Sequence, residues 1–314
     1  MRHTKVVVTG GCGFIGSNLV KRLFETGNEI TVLDNFMSGY RSNLSSLKNV
    51  NIIEGDIRDE STVKKAIKGA EVVFHLAASV GNKRSIDFPL VDAQINVIGT
   101  LNLLEAARKE GVRKIVTSSS AGIFGELKTL PIKEDHPIEP DSPYGCTKLC
   151  EEKLCLAYAK LYNIEAVCLR YFNVYGPNQR YDAYGNVIPI FVYKMFNNEP
   201  IIIYGDGEQT RDFVHVDDVV QANINAADSI GINGAFNIAS GKRVTINKLV
   251  EIITKNYKQS VRIEYGSQRS GDVLHSLADI SMAQHSINYF PTVDLEFGID
   301  GYVEWAKTFY SKNK

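Results

Sequence analysis

The chain has 314 residues, and its 35 lysines and arginines almost balance 36 aspartates and glutamates, for a formal net charge of −1. That balance argues against nucleic-acid binding and membrane-surface binding, and the length allows one large domain or two smaller ones. No apolar run approaches the ~20 residues that cross a bilayer, and the polar first residues are no signal peptide, so we expect a cytoplasmic protein. The five cysteines show neither disulfide nor metal-ligand spacing, so we expect no metal site.

The N-terminal pattern predicts a strand, a glycine-rich turn and a helix. The β-branched run Lys5-Val-Val-Val-Thr9 is typical of a buried parallel strand. It leads into Gly10-Gly-Cys-Gly13-Phe-Ile-Gly16 and then into a helical stretch from Ser17 to about Glu25. Glycines at such a turn let the backbone approach a pyrophosphate, whose charge lies at the helix N-terminus. The pattern therefore predicts a dinucleotide site.

A second strand, Ile30-Thr-Val-Leu-Asp34, ends in an acidic side chain about twenty residues beyond the glycine turn. A carboxylate at this position accepts hydrogen bonds from both ribose hydroxyls and repels a 2′-phosphate. We therefore predict NAD rather than NADP as the cofactor.

Strands and helices continue to alternate through the first half of the chain. We predict strands at 51–56, 71–75, 114–118 and 165–170, and helices at 60–68, at 92–110 and around Tyr144. This alternation is typical of an α/β fold with a doubly wound parallel sheet of the Rossmann type. Its ligand crevice lies at the carboxyl ends of the strands.

Beyond Tyr171 the pattern becomes irregular and richer in glycine, proline, asparagine and aromatic residues. We predict two interleaved domains: a dinucleotide-binding domain of 1–171 plus 212–239, and a smaller substrate-binding domain of 172–211 plus 240–314. Apolar residues at helical spacing in 294–310 predict a C-terminal amphipathic helix that packs on the core.

The stretch Tyr144-Gly-Cys-Thr-Lys148 predicts a catalytic base. Residues i and i+4 share one face of a helix, so the Lys148 ammonium is expected near the Tyr144 phenol. A free tyrosine has a pKa of about 10, and a nearby positive charge favours the phenolate. A base near neutrality needs roughly 4 kcal/mol of such help, which lysine and a cationic nicotinamide in a dry pocket could supply. Alone, a Tyr and a Lys at this spacing are more often surface residues, and it is the rest of the chain that favours the catalytic interpretation.

Taken together, the motifs resemble those of NAD-dependent nucleotide-sugar epimerases in the extended short-chain dehydrogenase/reductase family. The resemblance covers nearly the whole chain. The motifs that carry it are Thr9-Gly-Gly-x-Gly-Phe-Ile-Gly16, Asp34-Asn35, Gly55-Asp56-Ile57-Arg58-Asp59, His75-Leu-Ala-Ala78, Ser118-Ser-Ser120, Ser142-Pro-Tyr-Gly-x-x-Lys148, Arg170-Tyr-Phe-Asn173-Val-Tyr-Gly-Pro177 and Arg211-Asp-Phe-Val-His215-Val-Asp-Asp.

The resemblance implies a role for each matching position. Tyr144 would be the base, Lys148 its partner and a ligand of the nicotinamide ribose, and Ser120 would bond the sugar hydroxyl that is oxidised. The remaining cofactor contacts would be Gly10, Gly13, Phe14, Ile15, Gly16, Asp34, Asn35, Asp56, Ile57, Ala77 and Asn96.

The resemblance also implies a UDP-sugar substrate and a homodimer formed through the helices near 92–110 and 143–162. Arg211 and Arg269 would clamp the diphosphate through charge-assisted hydrogen bonds. The other implied substrate contacts are Asn173, Asn186, Val187 and Asp272.

The residues after Ser120 bear on the reaction. Dehydratases and decarboxylases of this family place acids there, because removing water or carbon dioxide needs further acid–base help. This chain has Ala121 and Gly122 instead, which disfavours both lyase reactions. We predict an isomerase: a 4-epimerase that works through a 4-keto sugar. A non-catalytic NAD sensor on the same fold is disfavoured by the Tyr144–Lys148 pair and the arginines.

The expected substrate follows from size. Glucose-type epimerases carry a large aromatic where this chain has Ser276, and a smaller side chain leaves room for an N-acetyl group. The segment Arg84-Ser-Ile also resembles N-acetylhexosamine epimerases. We predict interconversion of UDP-N-acetylglucosamine and UDP-N-acetylgalactosamine. UDP-glucose/UDP-galactose is the alternative and UDP-glucuronate a third possibility, since a roomy pocket also accepts a smaller sugar. Proteins of the resembling family usually have a tyrosine at the position of Phe124, so this chain lacks the hydroxyl group there.

Overall fold

The computed structural model describes residues 1–182, 185–257, 260–268 and 273–312. The strands are β1 (Lys5–Thr9), β2 (Glu29–Asp34), β3 (Asn51–Glu54), β4 (Val72–His75), β5 (Lys114–Ser120), β6 (Glu165–Tyr171), β7 (Asn173–Tyr175), β8 (Ile201–Tyr204), β9 (Thr210–His215), β10 (Gly234–Ile238), β11 (Arg243–Thr245) and β12 (Ile263–Gly266).

The α-helices are α1 (Phe14–Glu25), α2 (Glu60–Ile67), α3 (Asn82–Asp87), α4 (Pro89–Ala93), α5 (Thr100–Glu110), α6 (Pro143–Leu161), α7 (Val187–Phe196), α8 (Val216–Asp228), α9 (Ile246–Thr254), α10 (Ser281–Ile287) and α11 (Leu295–Lys312). A π-helical segment, Gln94–Gly99, joins α4 to α5, and short 3₁₀ helices cover Arg41–Leu44 and Ala121–Ile123. Within the described ranges, none of these helices has the length and apolar character needed to cross a membrane.

Seven parallel strands form the central sheet, in the order β10-β6-β5-β4-β1-β2-β3. Alternate residues of a strand face opposite sides of a sheet, and β1 is apolar on both. Val6 and Val8 pack with α1 and α8, whereas Val7 packs with α2 and α5. The sheet is therefore covered by helices on both faces, as predicted for a doubly wound fold.

A smaller region lies beyond the central sheet. It contains a three-stranded sheet, β11-β9-β7, and a two-stranded sheet, β12-β8. Helices α7, α9 and α11 enclose a separate apolar core that includes Phe191, Leu249 and Tyr302. Between these parts the chain passes through α8 and returns to the central sheet as β10, which pairs with β6.

Candidate active site

The glycine turn between β1 and α1 has a shape that side chains would block. Gly10 has a positive φ of 68°, and a Cβ there would lie 2.8 Å from the Ala77 backbone nitrogen. A Cβ on Gly16 would overlap the Gly10 carbonyl oxygen. The turn is therefore closed tightly against itself and against the end of β4.

The N-terminus of α1 fits a pyrophosphate. Gly13 is the N-cap residue in extended conformation and makes no side-chain capping bond. The N–H groups of Phe14, Ile15 and Gly16 in the first turn have no acceptor within the helix, since such acceptors begin one turn later. Backbone donors and the helix dipole thus converge where the predicted NAD phosphates would bind.

Asp34 ends β2 beside the glycine turn. Its side chain is buried and accepts hydrogen bonds from the backbone nitrogens of Cys12 at 2.9 Å and Phe36 at 2.8 Å. A carboxylate has about four lone-pair sites, so these two bonds leave acceptor capacity for ribose hydroxyls. The position fits the prediction of NAD.

Asn35 and Asp56 also come together, as expected for residues along the adenosine. The Asn35 amide donates to the Asp56 carboxylate at 2.8 Å. Arg58, to which the sequence motifs assigned no role, donates to the same carboxylate at 2.8 Å and lowers the pKa of Asp56 through that hydrogen bond. Asn102 on α5 donates to the Ile57 carbonyl oxygen at 3.1 Å and fixes the loop.

Asn96 is fully buried in the π-helical segment. Its Oδ1 accepts from the Ser79 backbone nitrogen at 2.8 Å, and its Nδ2 donates to the Ser79 carbonyl oxygen and to Thr147 Oγ1, each at 3.1 Å. Asn96 therefore ties the loop after β4, which includes Ala77, to helix α6. Both of its amide hydrogens are used within the protein.

Ser120 and Tyr144 lie together at the carboxyl end of the central sheet. The Ser120 hydroxyl accepts from the Gly122 backbone nitrogen at 3.1 Å, and its interaction with the Tyr144 phenol favours the phenolate. Pro143 and the N-cap Ser142 start α6 just before Tyr144, and Ser85 Oγ accepts from the Tyr144 nitrogen at 3.0 Å. The start of the helix is thereby fixed next to the end of β5.

The protein alone does not make Tyr144 a strong base. Its pKa is raised from the ordinary value because burial penalises the phenolate, an effect that the Lys148 charge and the Ser120 hydrogen bond only partly oppose. The helical spacing correctly indicated that Lys148 lowers this pKa. It could not indicate that desolvation is the larger effect.

Lys148 is buried and has a partner that the sequence did not suggest. Its Nζ donates to Glu151 Oε2 at 2.6 Å and lies 3.4 Å from Ser118 Oγ. The interaction with Glu151, together with that with Tyr144, raises the pKa of Lys148 against the opposing effect of burial. The ammonium is therefore held in its charged form.

His75 lies near Lys148 and is buried in its neutral form. We therefore expect the protein to lose stability in acid. His75 is fully buried between Thr9 Oγ1 at 2.8 Å and Thr100 Oγ1 at 3.0 Å, and burial lowers its pKa from 6.5 to about 3. The unfolded chain therefore binds more protons between these values, so the stability contribution is complete above pH 6.5 and falls as the pH drops towards 3.

We expect the free energy of unfolding to fall by about 2–3 kcal/mol more in the wild type than in His75→Gln between about pH 7 and pH 4. Urea denaturation at each pH measures the difference. Parallel pH profiles for the two proteins would show that His75 does not contribute.

Four predicted substrate contacts lie around the β7–β9 pair. Asn173 Nδ2 donates to the Asp212 carbonyl oxygen at 3.0 Å, and Arg211 Nη1 donates to the Thr210 carbonyl oxygen at 2.9 Å. The backbone nitrogen of Ser276 donates to the Thr210 carbonyl oxygen at 3.1 Å. Asn186 Nδ2 lies 3.5 Å from the Val174 carbonyl oxygen, and Asn186 precedes Val187 at the start of α7.

Strand register connects this group with the catalytic one. Ser120 in β5 pairs with Tyr171 in β6, and Asn173 follows two residues later at the start of β7. Arg84 in α3, which the sequence also suggested for the substrate, forms an ion pair with Asp182 at 2.5 Å. Arg269 and Asp272 lie outside the described residues.

Asp212 is a residue of this region that the sequence did not single out. Its buried carboxylate accepts from Ser240, Gly241 and Ala278, so it fixes two loops of the smaller region beside Arg211. In the part of the chain that the structure describes, no group of three or more His, Cys, Asp or Glu side chains could hold a metal ion.

Comparison with known proteins identifies the family. The model of the NAD-dependent epimerase/dehydratase family matches residues 6–239. A putative UDP-glucose 4-epimerase from Methanocaldococcus jannaschii is 41% identical over 304 residues, which cover 96% of this chain and 98% of the relative.

Two solved structures are similar over almost their full length. A UDP-N-acetylglucosamine 4-epimerase from Methanobrevibacter ruminantium M1, in complex with UDP-N-acetylmuramic acid, is 39% identical with a TM-score of 0.94, covering 98% of this chain and 100% of that one. A UDP-glucose 4-epimerase from Thermotoga maritima, with UDP-glucose, is 38% identical with a TM-score of 0.92, covering 98% and 99%.

The chain belongs to the NAD-dependent epimerase/dehydratase family, within the extended short-chain dehydrogenase/reductases. The predictions of a Rossmann-type α/β fold, of NAD as cofactor and of an epimerase are confirmed. The roles assigned to individual site residues remain predictions.

Proposed function

We propose that this epimerase interconverts UDP-N-acetylglucosamine and UDP-N-acetylgalactosamine by inverting C4 through a 4-keto sugar. The observation that carries the proposal is that the Ser120 hydroxyl and the Tyr144 ring border the same residue, Gly122, with the buried Lys148 ammonium on the helix of Tyr144. These three groups can hold a sugar hydroxyl and remove its proton.

Each residue has a separate task in this proposal. Ser120 orients the C4 hydroxyl, and Tyr144 takes its proton and later returns it. The glycine turn and Asp34 would hold NAD, which would supply a hydride acceptor for C4 and a cationic ring that favours the phenolate. Lys148 keeps a positive charge beside Tyr144, which opposes the effect of burial on the phenol. Because the sugar is oxidised and then reduced, no cofactor is consumed.

The 3₁₀ helix Ala121–Ile123 argues for epimerisation rather than elimination or decarboxylation. A Cβ on Gly122 would lie 3.3 Å from Ser120 Oγ and 3.7 Å from the Tyr144 ring, so position 122 directly borders the catalytic pair. Neither Ala121 nor Gly122 carries a group that transfers protons. A lyase reaction would need a second acid or base at this place.

The preference for an N-acetylated sugar rests on Ser276. Its side chain is small and buried, and its backbone is bonded to Thr210, next to the proposed diphosphate ligand Arg211. A small side chain here leaves space for an N-acetyl group, whereas an aromatic ring would occupy it. The similar structures include epimerases of both sugar types, so similarity supports the UDP-glucose/UDP-galactose alternative equally; UDP-glucuronate is third.

A panel of UDP-sugars tests the substrate. Incubation with UDP-N-acetylglucosamine, UDP-N-acetylgalactosamine, UDP-glucose and UDP-glucuronate, without added NAD, is followed by NMR of the anomeric protons. We expect the N-acetylated pair to have the highest kcat/KM. In Ser276→Tyr we expect kcat/KM to fall about 100-fold for the N-acetylated pair and less than about 10-fold for UDP-glucose.

UDP-glucose provides the internal control, because a misfolded variant would lose activity on every sugar. Equal losses for the two sugar types would contradict the role of Ser276. Fastest turnover of UDP-glucose by the wild type would favour the alternative function.

We also propose that the chain forms a homodimer through the helices near 92–110 and 143–162, where Ile98 and Leu161 expose apolar side chains.

The proposed domains are 1–171 plus 212–239 for the dinucleotide and 172–211 plus 240–314 for the substrate. The return of β10 to the central sheet supports this division. Strand β9 crosses the boundary at 212, because its residues up to His215 pair with β7 and β11 in the smaller region.

A further inference from the structure

Glu151 is a buried carboxylate in direct contact with the proposed catalytic lysine. It lies one helical turn after Lys148 on α6 and is 1% exposed. Its Oε2 accepts from Lys148 Nζ at 2.6 Å, and its Oε1 accepts from Thr117 Oγ1 on β5 at 2.5 Å. Both oxygens therefore have a donor, and the side chain has one well-defined position.

The contact places Glu151 in competition with Tyr144 for the same positive charge. Tyr144 precedes Lys148 by one turn and Glu151 follows it by one turn, so both lie on the side of α6 that faces the sheet. Charges act strongly on one another where water is excluded. A carboxylate 2.6 Å from the ammonium thus reduces the field that Lys148 exerts on the phenol.

We propose that Glu151 is a positioning residue that fixes the Lys148 ammonium and whose negative charge sets the pH range in which Tyr144 can act as a base. The proposal rests on the proposed epimerase function. Glu151 itself does not touch the sugar and takes no proton from it.

The direction of the effect follows from the sign of the charge. The negative charge of Glu151 raises the pKa of Lys148 and also raises that of Tyr144. Keeping Lys148 charged at high pH therefore has a cost, since Tyr144 loses its proton less readily. Removing the charge should lower both pKa values together.

Other titratable groups face this pair from each neighbouring element. His75 on β4 remains neutral, because burial lowers its pKa to about 3. Burial also raises the pKa of Tyr171 on β6, and hydrogen bonding to Cys155 raises that of Cys168 on the same strand. Asp92 on α4 accepts a hydrogen bond from Thr147. Glu152 on α6 is paired with Arg170 at 2.8 Å. The remaining groups on α6 are Cys150 and Cys155.

The pH dependence of kcat tests the proposal in the full-length protein with the preferred UDP-sugar. Glu151→Gln keeps the shape of the side chain and removes its charge. We expect both limbs of the pH profile to move to lower pH by about one unit. Glu151→Asp keeps the charge, and we expect its limbs to stay within about 0.3 unit of the wild type. A purely structural role would lower the maximum and leave the limbs in place, which would overturn the proposal.

Thr117→Val is a second variant in case Glu151→Gln does not fold. Burial raises the pKa of Glu151, and the hydrogen bonds from Lys148 and from the Thr117 hydroxyl oppose that effect, so loss of the hydroxyl makes the carboxylate neutral over a wider pH range. We expect a shift in the same direction but smaller. Cys150→Ser, on the same helix and partly exposed, is the control for general disturbance of α6 and should not move the limbs. Unmoved limbs in Thr117→Val would overturn the proposal.

A measurement without turnover separates this inference from the proposed function. The ultraviolet absorbance of tyrosinate is titrated in the wild type and in Tyr144→Phe, and the difference gives the ionisation of Tyr144. The same pair is then measured with Glu151→Gln. We expect the midpoint to fall by about one pH unit. An unchanged midpoint would overturn the inference, whereas a shifted midpoint in a protein that epimerises no UDP-sugar would overturn only the proposed function.

Discussion

Tyr144→Phe is expected to lower kcat by about 10³-fold while NAD binding persists, since proton transfer by a positioned side chain contributes about 10²–10⁴-fold. The substitution removes one oxygen and leaves the ring in place. The backbone bond from Tyr144 to Ser85 Oγ does not involve that oxygen, so the start of α6 should keep its position. The loss should therefore fall on kcat rather than on KM.

Tyr158→Phe is the matched control for this prediction. Tyr158 lies on the same helix, and its hydroxyl donates to Glu105 at 2.7 Å, far along the chain from the catalytic group. The control loses the same atom and a hydrogen bond, yet we expect wild-type turnover. Steady-state kinetics and the absorbance of copurified dinucleotide are measured for both variants. Full turnover in Tyr144→Phe would remove this residue from the mechanism.

The first half of the fold could be predicted because its signals are local. A run of β-branched residues, a glycine turn and an acid at the end of the next strand are all read within about 35 residues, and each fixes one backbone conformation. The observed β1 has the predicted bounds Lys5–Thr9, and β2 ends at the predicted Asp34. Helix α1 begins at Phe14, earlier than the predicted Ser17, because the turn passes directly into the helix.

The predicted helix 92–110 is interrupted for a reason that periodicity does not contain. The chain forms a π-helical segment at Gln94–Gly99. There the Thr100 hydroxyl donates to the Asn96 carbonyl oxygen at 2.6 Å and is also bonded to His75. Ile57 packs closely against Gly99. The contacts with His75 and Ile57 join residues far apart in the sequence, so they override the helical pattern.

The substrate side was predicted by motif rather than by structure. The small sheets pair residues distant in the chain, such as Asn173 with Phe213 and Asp212 with Arg243. Short strands of three to six residues carry too little periodicity to be paired from sequence. For the same reason Asp212 was missed, although its carboxylate holds loops from two other segments.

The electrostatics of Tyr144 and Lys148 could be predicted only in part from the sequence. Helical spacing correctly placed Lys148 near Tyr144, but spacing does not measure burial. Desolvation of the phenol raises the pKa of Tyr144 by more than the Lys148 charge lowers it. The ion pair with Glu151 further weakens the effect of Lys148 on the phenol. The sequence does contain the signal for Glu151, since it lies three residues after Lys148 on the same helix face. Recognising it requires knowing that this face is buried.

Gly16→Ala is expected to destabilise the protein by about 2–3 kcal/mol, the cost of forcing a methyl group into a closed backbone. The added Cβ would overlap the Gly10 carbonyl oxygen and lie 2.8 Å from the Gly11 Cα. Both neighbours are backbone atoms, which cannot rotate away as a side chain can. Chemical denaturation measures the change, and NAD should be lost with the shape of the turn.

Gly13→Ala separates cofactor binding from stability. Among the described residues, its Cβ would approach only the Gly10 carbonyl oxygen, at 3.2 Å, and the backbone is extended. We expect stability within about 1 kcal/mol of the wild type, but the Kd for NAD should rise more than about 10-fold, because the methyl group would stand where the pyrophosphate must approach. Gly301→Ala, in open space on α11, should be stabilising by about 0.5–1 kcal/mol with unchanged NAD binding. If Gly13→Ala bound NAD normally, the pyrophosphate could not lie against this turn.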